Sequence, residues 1–267
     1  MPDLRAAVAK ELEQRIALVT GASRGIGRAC ALALADAGAA VALVGRAAND
    51  LADVEASVAT RGVRAASFVC DVTDPATVAK LPALVHAALG PIDVLVNNAG
   101  AAESRPFAKA DLEHWERMLR VNLTSAFLVT RAFLPGMLER GFGRVIQIAS
   151  VAGKVGAPYV AAYTAAKHGV VGFTKALALE VAKKGVTVNA VCPGYVDTSM
   201  TDASVDNIVV RTGKSADDAR SILARTNPQE RLIEPEEIAA TVVFLASAAA
   251  RGINGQSINV CGGATPL

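Results

Sequence analysis

Tyr163 and Lys167 lie four residues apart in an Ala-rich segment of helical pattern, so a phenol and an ammonium project from one helix face. That pairing suits the reduction of a carbonyl, which needs a proton at oxygen as a hydride reaches carbon. A free phenol, with a pKa of about 10, is poorly matched to neutral pH, and a neighbouring ammonium favours its ionised form. Ser150, thirteen residues before the tyrosine, ends the β-branched run GRVIQIAS at 143–150. Its hydroxyl could hydrogen-bond the same oxygen and stabilise the charge that develops there. Tyr159 offers a competing phenol, but four residues on from it stands Tyr163, not a lysine. A Tyr/Lys pair at this spacing also occurs on helices without any catalytic role.

A second group of residues could hold an anion. The run Thr20-Gly21-Ala22-Ser23-Arg24-Gly25-Ile26-Gly27 follows the strand pattern RIALVT at 15–20 and opens the small-residue helix pattern GRACALALADAG. Glycines in a strand-to-helix turn let the backbone approach a pyrophosphate, and the helix N-terminus offers free N–H groups and a positive dipole end. A tight turn without a ligand is the other reading of the glycines. The second strand pattern, AAVALVG at 39–45, ends on Gly45 with Arg46 following. There, NAD-preferring folds carry a carboxylate for the ribose 2′-hydroxyl. Arg24 and Arg46 would instead flank a 2′-phosphate with no carboxylate to repel it, so NADP(H) is expected ahead of NAD(H). Either arginine could equally be a solvated surface residue.

These groups need a scaffold that gathers strand ends. Further strand patterns follow at 64–70, 92–98, 143–150, 186–192 and 256–262, separated by stretches of helical period. Helices are expected at 49–60, after Asp74 (a cap) and Pro75, at 111–138 with a kink or break at Pro135, at 159–184 and at 235–246. Several strands are apolar on successive residues, which fits a sheet covered on both faces, and the alternation requires right-handed crossovers. The expected fold is α/β: a single Rossmann-type, doubly wound parallel sheet of about seven strands with helices on both faces. The organisation reads as an N-terminal extension at 1–14 and one dinucleotide-binding catalytic domain at 15–267. Within it, 195–226 shows no strand pattern and holds the place of a substrate loop.

The spacing T-G-x-x-x-G-I-G after the first strand pattern is joined by Asn97-Asn98-Ala99-Gly100 after the fourth, Ser150 at the end of the fifth, Tyr163-x-x-x-Lys167 on a helix and Pro193-Gly194 after the sixth. Together they resemble the short-chain dehydrogenase/reductase family from Ile16 to Gly263. The resemblance implies a catalytic set of Asn122, Ser150, Tyr163 and Lys167. In that set Lys167 also bonds the nicotinamide ribose, and Asn122 holds a water against the lysine. It further implies that Thr20, Gly21, Ser23, Arg24, Gly25, Ile26, Gly27, Arg46, Asp71, Val72, Asn98, Ala99, Gly100, Pro193, Gly194, Val196 and Thr198 border the cofactor, with Tyr163 and Lys167. Asp71 resembles the residue that bonds the adenine, and Thr198 the one that fixes the nicotinamide carboxamide. Asp71 reads equally as a capping or turn aspartate, and Asn122 as a helix residue bonding backbone.

TGASRGIGRA and INGQSINVCGG resemble 3-oxoacyl-thioester reductases and aromatic-polyketide ketoreductases. A 3-oxoacyl thioester of ACP or CoA is therefore the expected substrate, with a catabolic secondary-alcohol dehydrogenase as the alternative. From another class, a dinucleotide-binding regulator without turnover would tolerate loss of Ser150, Tyr163 or Lys167, yet all three are present. The resemblance also implies a homotetramer.

A net charge of +2 and the absence of a Lys/Arg run argue against a nucleic-acid partner. Cys30, Cys70, Cys192 and Cys261 form no C-x-x-C pair, and His86, His114 and His168 show no ligand spacing, so reduced thiols and no metal are expected. MPDLRAAVAKELEQ lacks the apolar core of a signal peptide, and no uncharged apolar run reaches the ~18–20 residues of a membrane span. These features point to the cytosol. Arg211, Lys214, Arg220 and Arg225 suggest a clamp for thioester phosphates. Asp202, Asp206, Asp217 and Asp218 lie among them, so a solvated helical face of mixed charge is the preferred reading.

Overall fold

The structure is a computed structural model that describes residues 10–265. Its strands are β1 (Ile16–Thr20), β2 (Ala40–Gly45), β3 (Ala65–Val69), β4 (Val94–Asn97), β5 (Gly143–Ile148), β6 (Val186–Pro193) and β7 (Ser257–Val260). All pair in parallel, in the order β3-β2-β1-β4-β5-β6-β7. Every residue of the five inner strands is buried, whereas the edge strands β3 and β7 are partly exposed. The unbroken apolar runs in the sequence follow from that double coverage.

The helices are α1 (Gly25–Asp36), α2 (Ala48–Ala59), α3 (Pro75–Val78), α4 (Leu81–Ala88), α5 (Leu112–Leu119), α6 (Ser125–Arg140), α7 (Ala161–Val181), α8 (Ser199–Thr212), α9 (Ala216–Ala224) and α10 (Pro235–Ala246). Alternation along β1 divides the core. Ala17 and Val19 pack with α1, α2 and α10, while Ile16 and Leu18 face α4, α6 and α7. Each fully buried Val, Leu or Ile in these layers contributes about 1.5–3 kcal/mol of burial free energy. The small buried residues of α1, Gly27, Ala29, Ala31 and Ala35, let that helix lie close to its neighbours. Asp74 caps α3 through a bond from the Ala76 N–H (3.0 Å), and Pro75 occupies the first turn, as expected.

Several boundaries differ from expectation. The helical stretch at 111–138 is interrupted not at Pro135 but at Arg120–Thr124, a π-helical turn between α5 and α6. Pro135 lies on an exposed face, where water can satisfy the carbonyl left without its N–H partner. Tyr159 is not on a helix: it adopts φ +67° ahead of α7 and is 59% exposed. The 195–226 region is largely helical, with α8 and α9 folding on each other around Val205, Ala219, Leu223 and Leu232. Residues 1–9 of the expected N-terminal extension lie outside the described residues. Of the remainder, Leu12 is buried in the α1 core layer, and its N–H bonds the Ala37 carbonyl at 3.0 Å. By length and hydropathy alone, Leu112–Arg140 could cross a membrane, but Val129, Phe133 and Met137 within it pack on the sheet.

Candidate active site

The sheet order reverses direction between β1 and β4, and the crevice there is laced shut from below. The Thr20 hydroxyl oxygen accepts the N–H groups of Asn98 and Ala99, both at 3.0 Å. Asn98 Nδ2 returns bonds to the carbonyls of Thr20 (2.9 Å) and Gly21 (3.1 Å). Above this lacing the turn Gly21–Gly27 leads into α1. Gly21 (φ +63°) and Gly25 (φ +52°) hold the left-handed conformation that side chains resist. Gly27 is required by space: a Cβ there would come within 2.1 Å of the Gly21 carbonyl oxygen and 2.5 Å of Asn98 Nδ2. Helix α1 starts with no side-chain cap and no acidic residue in its first turn. Its free N–H groups and positive dipole end therefore suit an anion. Side-chain-free backbone and an uncapped helix end at a topological switch point fit a dinucleotide pyrophosphate.

Ser23 and Ile26 line this turn half-buried, and Arg24 is exposed at its tip. Beyond Gly45, Arg46 is also exposed, so both guanidiniums are available to a ligand at the end of β2. One carboxylate is nearer than the sequence suggested. Asp71 has its pKa lowered chiefly by bonds from the N–H and hydroxyl of Thr73 (2.9 and 2.8 Å), and to a lesser extent by the charge of Arg46. In this structure Asp71 forms a turn, while Val72 beside it is buried.

The catalytic candidates converge at the ends of β4 and β5. Ser150 follows β5, accepts the Ala152 N–H at 3.1 Å and hydrogen-bonds the Tyr163 hydroxyl. Lys167 lies one turn of α7 further on, buried, with Nζ 5.6 Å from the centre of the Tyr163 ring and donating to the Ile148 carbonyl at 2.8 Å. Gly100 passes so close that a Cβ on it would lie 3.7 Å from Lys167 Nζ and 2.7 Å from Asn122 Oδ1. Asn122 emerges from the π-helical turn with its amide fully engaged. Nδ2 donates to the carbonyls of Ala101 (2.8 Å) and Met118 (3.0 Å), and Oδ1 accepts the Ala101 N–H (3.2 Å). The extra residue of a π-turn is what frees Asn122 to fold back on the Gly100 loop.

Burial sets the protonation states. The Tyr163 side chain is only partly covered, yet protein atoms crowd its hydroxyl. That desolvation pushes its pKa up to about 12, against a smaller lowering by Ser150 and a further rise from Tyr195. The same cause pushes Lys167 down to about 8. At neutral pH the unliganded site therefore holds a neutral phenol beside an ammonium.

Comparison with known proteins agrees with the fold. Residues 15–208 match the model of the short chain dehydrogenase family. An acetoacetyl-CoA reductase of Shinella zoogloeoides is 43% identical, over 93% of this chain and 98% of its own. A D-beta-hydroxybutyrate dehydrogenase of Cupriavidus necator is 39% identical, over 94% and 98%. Among solved structures, an actinorhodin polyketide ketoreductase with NADPH superposes with a TM-score of 0.91 and 40% identity, covering 96% of this chain and 98% of that one. The protein is a short-chain dehydrogenase.

In this dehydrogenase, as in its family, a nicotinamide dinucleotide is the redox partner, and the remaining expected residues fall around that crevice. Pro193 ends β6, and Gly194 is packed so tightly that a Cβ would meet Asn227 Oδ1 at 2.4 Å. Val196 is buried and pairs with Ile233 in an isolated bridge. Thr198 starts α8 against the glycine turn, since a Cβ on Gly25 would touch its Cγ2 at 3.1 Å.

Three neighbours escaped the sequence reading. Tyr195 and Cys192 both bear on the Tyr163 hydroxyl, and their only sequence signal is adjacency to Pro193-Gly194. The third is the Tyr159 carbonyl, which accepts the Arg105 N–H at 2.6 Å and ties together two loops at the rim. Of the four cations weighed as a phosphate clamp, Arg220 is already paired with Asp197 and Asp202, and Arg211 reaches only the Ser104 carbonyl at 3.5 Å.

Proposed function

We propose that the protein is an NADP(H)-dependent carbonyl reductase whose substrate is a 3-oxoacyl thioester carried on acyl carrier protein or coenzyme A. The observation that carries the reaction type is the buried Ser150–Tyr163 hydrogen bond with the Lys167 ammonium alongside. The bound nicotinamide supplies the hydride in reduction and takes it in oxidation. Tyr163, neutral at working pH, donates its proton to the substrate oxygen. Ser150 donates a hydrogen bond to that oxygen and stabilises its developing charge. Lys167 holds positive charge beside the incipient tyrosinate, and Asn122 fixes the loop that carries Gly100 against the lysine. Arg24 and Arg46 favour the 2′-phosphate of NADP(H) through charge-assisted bonds, and Thr20, Gly21, Ser23, Gly25, Ile26, Gly27, Asn98, Ala99 and Gly100 frame the rest of the dinucleotide.

The thioester reading is supported by similarity to the acetoacetyl-CoA reductase and the polyketide ketoreductase. Similarity to a hydroxybutyrate dehydrogenase supports a second reading, oxidation of a small secondary alcohol. A homotetramer is in keeping with the exposed apolar side chains of Leu112, Trp115, Phe127 and Leu179 on α5–α7. Initial rates of NADPH and NADH oxidation with acetoacetyl-CoA test the main proposal. Fast turnover with NADPH alone is the expected result. No turnover with either cofactor, beside rapid oxidation of 3-hydroxybutyrate, would replace the first reading by the second.

A further inference from the structure

In the α8–α9 segment one side chain ties the two helices to each other and to the connector that leads into them. Arg220, on α9, directs one guanidinium nitrogen to Asp197 Oδ1 and the other to Asp202 Oδ1, the latter at 2.9 Å. Asp197 lies in the connector from β6, and Asp202 in the first turn of α8. The residue between them that matters is Thr198. It starts α8 with no cap bond from its own side chain, and its methyl group lies so near Gly25 of the glycine turn that a Cβ there would meet it at 3.1 Å.

Three further restraints converge on the same connector. The Asp197 N–H donates to the Ile233 carbonyl at 2.9 Å, the Thr201 hydroxyl donates to the Val196 carbonyl at 2.5 Å, and Asn227 Nδ2 donates to the Tyr195 carbonyl at 3.2 Å. Beyond these and the long Arg211 bond to Ser104, α8 and α9 pack chiefly on a cluster of their own with Leu232.

The charges in this fork are not placed for bulk stability. The side chains of Arg220, Asp197 and Asp202 are 37%, 42% and 59% exposed, and ion pairs at such positions contribute only about 0–1 kcal/mol each. Their geometry is more telling than their energy. A planar fork that bonds a carboxylate just before the helix start and another in its first turn restrains the direction of the helix start at Thr198. Small displacements of a positioning group can cost about 100-fold in rate.

We propose that Arg220 is a positioning residue. By gripping Asp197 and Asp202 it holds Thr198 against the glycine turn and so sets the nicotinamide end of the dinucleotide site. The inference rests on the cofactor reading above, with Thr198 at the carboxamide. It gives Arg220 a role distinct from that of a phosphate clamp.

The test uses the full chain and compares each whole cofactor with its adenosine half: NADPH with 2′,5′-ADP, and NADH with ADP. Arg220→Ala should weaken the preferred whole cofactor about tenfold or more, in line with the cost of misplacement, while leaving its adenosine half within about twofold. Arg220→Lys, which keeps the charge but not the fork, should recover part of the loss. In a Thr198→Ala background, removing Arg220 should add less than about twofold, because both changes act through one contact.

Equal losses for whole cofactor and half, or an undiminished effect in the Thr198→Ala background, would overturn the positioning role. So would unchanged binding in Arg220→Ala. If the wild-type chain binds neither dinucleotide more tightly than its adenosine half, the cofactor reading fails first and takes this inference with it.

Discussion

The sheet and the α8–α9 segment are built by different rules. In the sheet, five strands are buried along their whole length between two apolar layers, and the residues that face the dinucleotide are strand ends whose directions the sheet fixes. The segment α8–α9 packs on one small cluster, Val205, Ala219, Leu223 and Leu232, and is held to the rest by the half-exposed Arg220–Asp197 pair and by side-chain-to-backbone bonds from Thr201 and Arg211. The proposed common part of the chemistry therefore stands on the buried sheet, while the part expected to choose a substrate stands on a segment with few buried apolar contacts, the kind of region expected to open locally. The difference also bears on how sequence change is tolerated: the outer face of the segment is free of the glycine turn, whereas its start at Thr198 touches Gly25.

The comparison can be broken most severely at the chemistry itself. Tyr163→Phe removes the proposed proton donor while keeping the aromatic ring beside the dinucleotide crevice. Turnover should fall by about 10²–10⁴-fold, with cofactor affinity nearly intact. Stopped-flow or steady-state rates beside a fluorescence binding titration check this. Retained activity would move the proton donor elsewhere, with Tyr195 the nearest phenol to examine.

A paired experiment sharpens the contrast between the two regions. Gly27→Val would force a side chain into the Gly21 carbonyl, where even a Cβ lies at 2.1 Å. Overpacking of this kind costs about 1–3 kcal/mol, and here it should also abolish dinucleotide binding. Leu223→Ala truncates the segment's own cluster. In a well-packed core the same change costs about 2–5 kcal/mol, but here the loss should appear as local opening. The global melting temperature should barely move, while proteolysis within 199–224 accelerates and the KM for substrate rises. A full drop in melting temperature for Leu223→Ala would mean that the segment is part of the cooperative core.

The same contrast explains what was legible in the sequence. The strand patterns, the glycine turn and the Tyr163/Lys167 pair were readable because burial on both faces and close backbone approach leave few residue types that work. The segment at 195–226 read only as a strandless stretch with a solvated helical face of mixed charge, and the bounds of its helices were not legible because those helices bury little: α8 carries only Thr201 and Val205 as buried residues, so no strong period appears. The π-turn at Arg120–Thr124 was not legible, since one extra residue shifts the apolar stripe once and needs no special residue type, whereas Pro135 gave a strong signal at a place where solvent tolerates it. Asp71 shows a third kind of limit. Its type fitted both a ligand contact and a turn, and only the geometry with Thr73 displays the turn.

A smaller effect is expected at the edge of the dinucleotide crevice. Replacing Arg24 and Arg46 together by Ala should weaken NADPH selectively. Each charged hydrogen bond is worth at most about 1.5–3 kcal/mol, and less here because both side chains are exposed. Dissociation constants for NADPH and NADH measured side by side decide the matter. Equal losses for the two would assign the arginines to something other than the 2′-phosphate.

The subtlest expectation concerns Lys167 and stability. Its pKa falls from 10.5 to about 8 because the ammonium is desolvated, a shift that corresponds to about 3 kcal/mol of cost for holding the charge. Between those two values the unfolded chain binds more protons than the folded one, so this group makes the wild type more stable as pH rises through the window. Below pH 8 the cost is present in full. Lys167→Met removes the charge but leaves the Ile148 carbonyl without its donor, which returns about 1–3 kcal/mol of the gain. The inactive variant should therefore be as stable as the wild type or slightly more so at pH 7. Any advantage should shrink or reverse by pH 9.5, a point chosen below the range where Tyr163 begins to titrate. Denaturant unfolding of both proteins at the two pH values measures the difference. A stability gap that does not change with pH would mean that Lys167 is solvated, and that its ammonium reaches the tyrosine without the desolvation argued above.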